Sequence, residues 1–341
     1  MTYGMFWSAE NIVQNMNNML DKKAFSTGVV NWPRLFDGRC YRERRIDPNR
    51  FDVIHVQLAG DTLDTVKSLR KRITGNTKLV VNPDYSINFW QHYGTTPESV
   101  IDCFKMADFV FGQCRASADF LSEMLKREVP LIPHPLDTRW LKNHANPAHK
   151  RSDADVMINT HRDQSHHTPY LVVREYEDIV THLVGFGPGS TQGQRDVVHQ
   201  YYDHVHGVMP NADLIDRLYR SAFCAIDHYT HNVQGRSNMQ LAALGVPCLG
   251  WDNVDTQLHC YPHTTSPYGD LAHQMQIFRK LRNDTDFVAT VSAEASERVE
   301  TYSFQNSRKL FMEMTEEPVA DVTDVTGENN GNHKLIVPAT R

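Results

Sequence analysis

The sequence predicts an α/β protein made of two doubly wound parallel sheets, and three observations carry that expectation. Short apolar runs alternate with helix-length segments of 3.6-residue periodicity along most of the chain. The 341 residues suffice for two domains of about 150 residues, each burying its own core. Residues 139–153 are polar and broken by Pro147, the pattern of a linker between them.

The elements follow in order. Residues 2–7 read as a first strand, and Ser8 is placed to cap a helix over 9–22 whose Ile12, Val13, Met16 and Met19 share one face. Residues 26–32 are strand or loop, and 32–45 read as irregular and basic. An apolar run at 51–57 predicts a buried strand, followed by a helix at 61–72 and a strand at 78–82 that ends in Pro83-Asp84. A helix at 97–106, a strand at 107–112, a helix at 116–126 and a strand at 130–133 complete the first half.

The second half opens with a strand at 154–159, a helix at 169–175 and a strand at 179–185, then a helix at 192–203 and a strand at 205–209. Leu214, Ile215, Leu218 and Tyr219 give a helical stripe over 213–220, and 223–226 is a short buried strand. A polar loop with Gly235 follows. Ser237 or Asn238 is placed to cap a helix over 239–244, which Gly245 and Pro247 terminate before a strand at 246–251. Residues 257–270 read as loop, and helices follow at 271–282, 287–299 and 304–314. From 316 the chain is acidic and rich in Thr, Asn and Gly, a flexible tail.

Composition narrows the function classes. No run of about 18 apolar residues occurs, so integral membrane association is not expected. The first residues lack a basic region followed by a long apolar run, so no secretory signal is expected. Six cysteines without C-x-x-C spacing fit free thiols in a reducing, cytoplasmic setting. The net charge of −6 is uneven. Residues 1–150 hold 20 Lys+Arg against 16 Asp+Glu, and 151–341 hold 15 against 25. The basic first half, with Arg39, Arg42, Arg44, Arg45 and Arg50 together, is either an ordinary solvated surface or a footprint for an anionic partner.

Several phrases carry a resemblance. Ala-Asp-Phe-Val-Phe (107–111) precedes Ile-Pro-His-Pro-Leu-Asp (132–137), and Val184-Gly185-Phe186-Gly187-Pro188 has the form Val-Gly-x-Gly-Pro. Gln240-Leu241-Ala242-Ala243-Leu244-Gly245-Val246-Pro247 follows a Tyr-containing helix, a strand and a Gly loop. On these residues the chain resembles the GT-B glycosyltransferases, most nearly retaining family 4, over about residues 51–315. The family carries Glu-Ala-x-Ala-x-Gly-x-Pro at the last phrase. Its Glu is Gln240 here, and an acidic partner eight residues upstream is Asn232.

The resemblance implies two Rossmann-like domains facing across a cleft. Residues 1–138 would form the acceptor-side domain and 154–300 the nucleotide-sugar domain. Residues 301–315 would form a helix returning to the first, before the tail at 316–341. It implies transfer of a sugar from a nucleoside-diphosphate sugar to an acceptor hydroxyl, with retention. The donor diphosphate would rest on Arg162 and on Gly235, Arg236, Ser237 and Asn238. Gln240 would meet the ribose, and Gly185, Gly187 and Pro188 would shape the base pocket. His55 and Asp84 are the candidate catalytic residues of the first domain. The acceptor is a polyanion such as modified DNA, or a carbohydrate.

No cofactor beyond the sugar nucleotide and no obligatory metal is expected. The clusters His166-His167, His204-Val205-His206 and His228 with His231 lack Cys or Glu at ligand spacing. Asp153-Ala154-Asp155 precedes a strand rather than ending one, and reads as linker. Two rival readings share the fold: a GT-B-like binding protein without turnover, which Gln240 and Asn232 motivate, and a sugar-nucleotide epimerase.

Overall fold

The computed structural model describes residues 1–21, 30–59, 62–84, 94–144, 151–160, 164–185, 198–207 and 209–316. The chain forms two compact units. One comprises Met1–Gln14, Phe36–Pro133 and Gln305–Arg341; the other comprises Asn15–Leu35 and His134–Phe304.

In the first unit, strands β1 (Tyr3–Trp7), β2 (Arg39–Arg42), β3 (Val53–Leu58), β4 (Lys78–Pro83) and β5 (Phe109–Val110) lie in the order β2-β1-β3-β4-β5. Every pairing is parallel. A strand in such a sheet is covered on both faces and reads as a continuous apolar run. β3 fits: Val53, Ile54, Val56 and Leu58 are all buried. The helices Leu63–Arg72 and Pro97–Lys105 link β3 to β4 and β4 to β5, and the helix Arg115–Leu125 follows β5. The second is started by Thr96, whose hydroxyl accepts from the Ser99 N–H, with Pro97 in the first turn.

The irregular reading of 32–45 needs correction. Asn31–Leu35 is a short helix and Arg39–Arg42 is an edge strand. Backbone pairing with β1, burial of Cys40 and the Arg42–Glu10 ion pair hold a segment whose side chains alone do not read as β. Conversely, 130–133 contributes only the bridge of Leu131 to Gly112.

In the second unit, strands β6 (Asp155–Asn159), β7 (Gln164–Ser165), β8 (Val180–Val184), β9 (His204–His206), β10 (Cys224–Tyr229), β11 (Cys248–Trp251) and β12 (Thr265–Ser266) form one sheet. The path is β12-β11-β10-β6-β8-β9, all parallel, with β7 antiparallel on β10. Val156, Ile158, Cys224 and Ile226 enter the core on one face. Met157 and Ala225 enter the core on the other. The chain builds outward from β6 to β9, then returns to β10 on the opposite side of β6.

The helix Arg236–Ala243 ends in a Schellman motif. Gly245, at φ +66°, donates to the Ala242 carbonyl and Val246 to the Leu241 carbonyl, each at 2.9 Å. Its start differs from expectation. The helix begins at Arg236, Gly235 is the N-cap, and neither Ser237 nor Asn238 caps it. Both side chains are engaged elsewhere: Ser237 with Asp227, and Asn238 with Gln257. Two further segments gain structure. Thr138–His144 is a helix where linker was expected, with Leu141 buried and Asp137 Oδ1 accepting from the Trp140 N–H. Within 257–270 lie the end of the helix Asp255–Cys260, the 3-10 turn Pro262–Thr264 and β12. Polar residues hid that helix, because the buried Gln257 bonds the Cys248 and Thr264 carbonyls rather than solvent. The helices Leu271–Asn283 and Thr285–Arg298 start on the carboxylates of Asp270 and Asp284. The expected helix at 192–203 falls largely outside the described residues, and the tail after Glu316 lies outside them.

Candidate functional site

In an open parallel sheet, ligands settle outside the carboxyl ends of the strands where the strand order reverses. In the second unit that point lies between β6 and β10. β6 ends at Asn159, whose buried side-chain oxygen accepts from Tyr219 OH and whose Nδ2 has no partner among the described residues. β8 ends before Gly185, at φ +84°. A Cβ there would stand 2.5 Å from the Thr160 carbonyl, so only glycine lets the loops after β6 and β8 meet.

β10 leads through residues 230–235 into the helix Arg236–Ala243, which therefore starts at this same edge. Gly235 has φ +86°, and a Cβ on it would overlap Val254 Cγ1 and stand 2.8 Å from Asn238 Oδ1. The loop is held by Val233 N–H to the Asn253 carbonyl (3.2 Å), Asp255 N–H to Val233 (3.0 Å) and Thr256 N–H to Gln234 (2.9 Å). Asn253 Nδ2 adds bonds to the Tyr229 and His231 carbonyls at 3.1 and 2.9 Å. Gln234 Oε1 accepts from the His134 N–H at 2.8 Å, tying His134 to the loop.

The N–H groups of Arg236, Ser237 and Asn238 have no intrahelical acceptor, and among the described residues no side chain caps them. Three outward N–H groups plus the positive end of the helix dipole make an anion cradle. Arg236 is exposed beside it and Ser237 half-buried. Asn238 is fully buried, with Nδ2 2.9 Å from Gln257 Oε1, so its side chain serves the fold and its backbone faces the cradle. Gln240 is 4% exposed on the next turn, whereas Asn232 is exposed on the loop. Arg162, Gly187 and Pro188 lie outside the described residues.

Beneath the cradle, β10 carries a carboxylate. Asp227 is fully buried and accepts from Ser237 Oγ, which lies 3.0 Å from Tyr229 OH. His228, next along the strand, points the other way and stacks on Trp251 at 4.0 Å. Burial pushes its imidazole down to about 3.

In the first unit, His55 lies inside the core. Its Nδ1 is 2.5 Å from Tyr3 OH and its Nε2 2.6 Å from Asn82 Oδ1, with Phe111 and Phe311 against the ring. Burial pushes it down to about 4. Both nitrogens are used, the arrangement of a positioned, neutral imidazole. Asp84 is half-buried at the end of β4 and accepts from Gln57 Nε2 at 2.5 Å. The basic stretch is largely matched from within. Arg42 and Arg45 pair with Glu10 at 3.0 and 2.8 Å, Arg44 with Glu43 at 2.9 Å, and Arg70 with Asp108 at 2.9 Å.

No protein-family model and no curated protein matches the sequence. Solved structures do. A sucrose-phosphate synthase from Thermosynechococcus elongatus superposes with a TM-score of 0.66 at 13% identity, over 92% of this chain and 98% of that one. HepE from Anabaena, in complex with UDP, gives 0.66 at 12% identity over 92% and 99%. An alpha-glucosyltransferase in complex with UDP and a 13-mer DNA containing a HMU base gives 0.60 at 11% identity over 93% and 99%. The fold is GT-B.

Within this GT-B fold, sequence reasoning missed Asn159, Asp227, Tyr229 and Asn253. Asp227 left a readable trace: a carboxylate inside the otherwise apolar run Cys-Ala-Ile-Asp-His-Tyr must have a partner or a task. The other three are ordinary polar residues at strand ends, and only strand order brings them to one edge.

Proposed function

We propose that this chain is a glycosyltransferase that moves a sugar from a nucleoside-diphosphate sugar of the UDP-glucose class to an acceptor hydroxyl. The observation that carries this reading is the uncapped helix start at Gly235, set at the reversal point of a parallel sheet. Support comes from HepE in complex with UDP-glucose, which shares the fold over 92% of this chain.

The donor diphosphate rests on the N–H groups of residues 236–238. As the sugar–phosphate bond breaks, negative charge grows on the leaving phosphate, and fixed amides and the helix dipole stabilise it there. Arg162 is the expected cation over the same phosphates, so the reading requires no metal. Gln240 bonds a ribose hydroxyl through its amide, which gives and accepts hydrogen bonds without supplying charge. In the retaining course the leaving phosphate oxygen takes the proton of the acceptor hydroxyl, and no protein nucleophile is assigned. His55, fixed between Tyr3 and Asn82 inside the core, serves the packing of β3 against its neighbours, while Asp84, bonded to Gln57 beyond the end of β4, is kept as the candidate catalytic group of this unit.

The acceptor is a polyanion such as modified DNA, or a carbohydrate. The excess positive charge of residues 1–150 and the fold shared with an alpha-glucosyltransferase bound to DNA favour the former. The internal pairing of Arg42, Arg44, Arg45 and Arg70 limits how many phosphates that half can neutralise. The experiment is incubation with a panel of nucleotide sugars, with and without duplex DNA carrying hydroxymethylated bases. Labelled sugar in DNA, or free sugar released from one donor, supports the reading. A second reading, a binding protein without turnover, draws on Gln240 and Asn232 standing where carboxylates are expected. Nucleotide binding with neither release nor transfer selects it. DNA binding that is negligible across a salt series removes DNA as the acceptor.

A further inference from the structure

The carboxyl edge of the first sheet holds a buried donor and a buried acceptor that no described residue satisfies. The strand order β2-β1-β3-β4-β5 reverses between β1 and β3, the place where an open parallel sheet takes its ligands. Trp7 ends β1, and the pairing of Met5 with His55 puts it beside Gln57 on β3. Residues two apart on a strand share a face. Phe6, Val56 and Leu58 enter the core on one face, so Trp7 and Gln57 lie on the other, past Met5 and His55. Trp7 is 6% exposed and Gln57 0%. Neither Trp7 Nε1 nor Gln57 Oε1 has a hydrogen-bond partner among the described residues.

The chemical sense of each atom is fixed. An indole Nε1–H only donates. The amide of Gln57 has one orientation, because it faces Asp84 Oδ1 at 2.5 Å and a carboxylate only accepts. Nε2 is spent on that bond, and Oε1 is the end left over. A buried donor and a buried acceptor without partners are costly to keep. Such a pair calls for an occupant, either a water or a ligand.

We propose that this edge binds an uncharged, hydroxyl-bearing group, with Trp7 Nε1–H donating to its hydroxyls and Gln57 Oε1 accepting from them. A hydroxyl both gives and accepts, so it satisfies both atoms. A phosphate dianion only accepts; it would leave Gln57 Oε1 unpaired and meet the half-buried Asp84 carboxylate. The cations at this edge do not offset that. Arg42, beside Trp7 on β2, is held by Glu10 at 3.0 Å, and Arg45 by the same carboxylate at 2.8 Å. A sugar ring and a hydroxymethylated base both carry the required group. That the bound hydroxyl is the acceptor of sugar transfer rests on the function proposed above; the binding site itself does not.

The test is a nuclear magnetic resonance titration of the uniformly ¹⁵N-labelled protein, reading its five indole N–H signals. Trp7→Phe identifies the Trp7 signal by its loss. Methyl α-D-glucopyranoside and 5-hydroxymethyl-2′-deoxycytidine are the two probes. At least one is expected to move the Trp7 signal saturably, and the one that does names the source of the hydroxyl. Inorganic phosphate should leave that signal in place, and Gln57→Leu should weaken binding of the active probe about ten-fold. A Trp7 signal that neither probe moves means that a buried water only completes the pair, and overturns the site. A shift with phosphate equal to that with the probes, or unaltered affinity in Gln57→Leu, also overturns it. Should Gln57→Leu fail to fold, nuclear Overhauser contacts from the probe's ring protons to the Trp7 indole N–H on the parent decide. Their presence upholds the site and their absence rejects it. Binding of a probe without any sugar transfer keeps this site and drops the transferase reading. Transfer to either probe with the Trp7 signal unmoved does the reverse.

Discussion

Ser237 Oγ donates a hydrogen bond to the buried carboxylate of Asp227, so the first turn of a helix is tied to the strand behind it by a side chain that ordinarily would cap it. The hydroxyl is thereby taken out of competition for the first-turn N–H groups, which stay open to a ligand.

That pairing predicts a coupled effect. Asp227→Asn replaces a charge-assisted bond by a neutral one and should cost about 1–3 kcal/mol of stability. Ser237→Ala should cost a similar amount, and the double variant little more than either alone. Urea unfolding of the two single variants and the double variant checks it. Strict additivity would show that the two groups do not act together.

Gly235→Ala should be disproportionately harmful for so small a change. The residue sits at φ +86°, and the added methyl would overlap Val254 Cγ1. A loss of about 1–3 kcal/mol is expected, with weaker nucleotide binding. Thermal unfolding and UDP titration on one preparation check both. Wild-type values in both would remove the geometric argument for this loop.

The central strands of both sheets were readable because parallel strands bury both faces and leave mainly apolar runs such as Val53–Leu58 and Cys224–Tyr229, the polar residues within them being buried as well. The turn at Gly235 and the stop at Gly245 were readable because few residues other than glycine adopt positive φ. What escaped had its reasons in tertiary pairing. Arg39–Arg42 is a strand because β1 lies beside it, and the helix Asp255–Cys260 was hidden because Gln257 satisfies its amide inside the fold. The helix start was misplaced because Ser237 and Asn238 are good caps that found partners elsewhere. Asn159 and Asp227 reach one edge only through the order of β6 and β10, which local pattern does not encode.

Stability should fall with mild acid. Burial holds His55 at about 4 and His228 at about 3, both below the ordinary 6.5. A depressed folded-state value means the unfolded chain binds more protons as pH drops. The contribution is complete above about pH 6.5 and is lost as pH falls through 4 and then 3, at about 1.4 kcal/mol per pH unit for each group within its window. Urea midpoints between pH 7.5 and 5 should decline, and His55→Gln, which cannot titrate, should flatten the slope. An unchanged slope in that variant would contradict the assignment.

Gln240→Leu keeps side-chain volume and removes the amide. If the amide meets the ribose, UDP affinity should drop about ten-fold, or about 1.4 kcal/mol, while Tm stays near the parental value. Unaltered affinity would return Gln240 to a packing role.

The most direct measurement is a crystal structure of the protein with UDP bound. The account predicts the diphosphate within hydrogen-bond distance of the N–H groups of Arg236, Ser237 and Asn238, outside the carboxyl ends of β6 and β10. A diphosphate bound elsewhere, with those N–H groups facing only solvent, would contradict it.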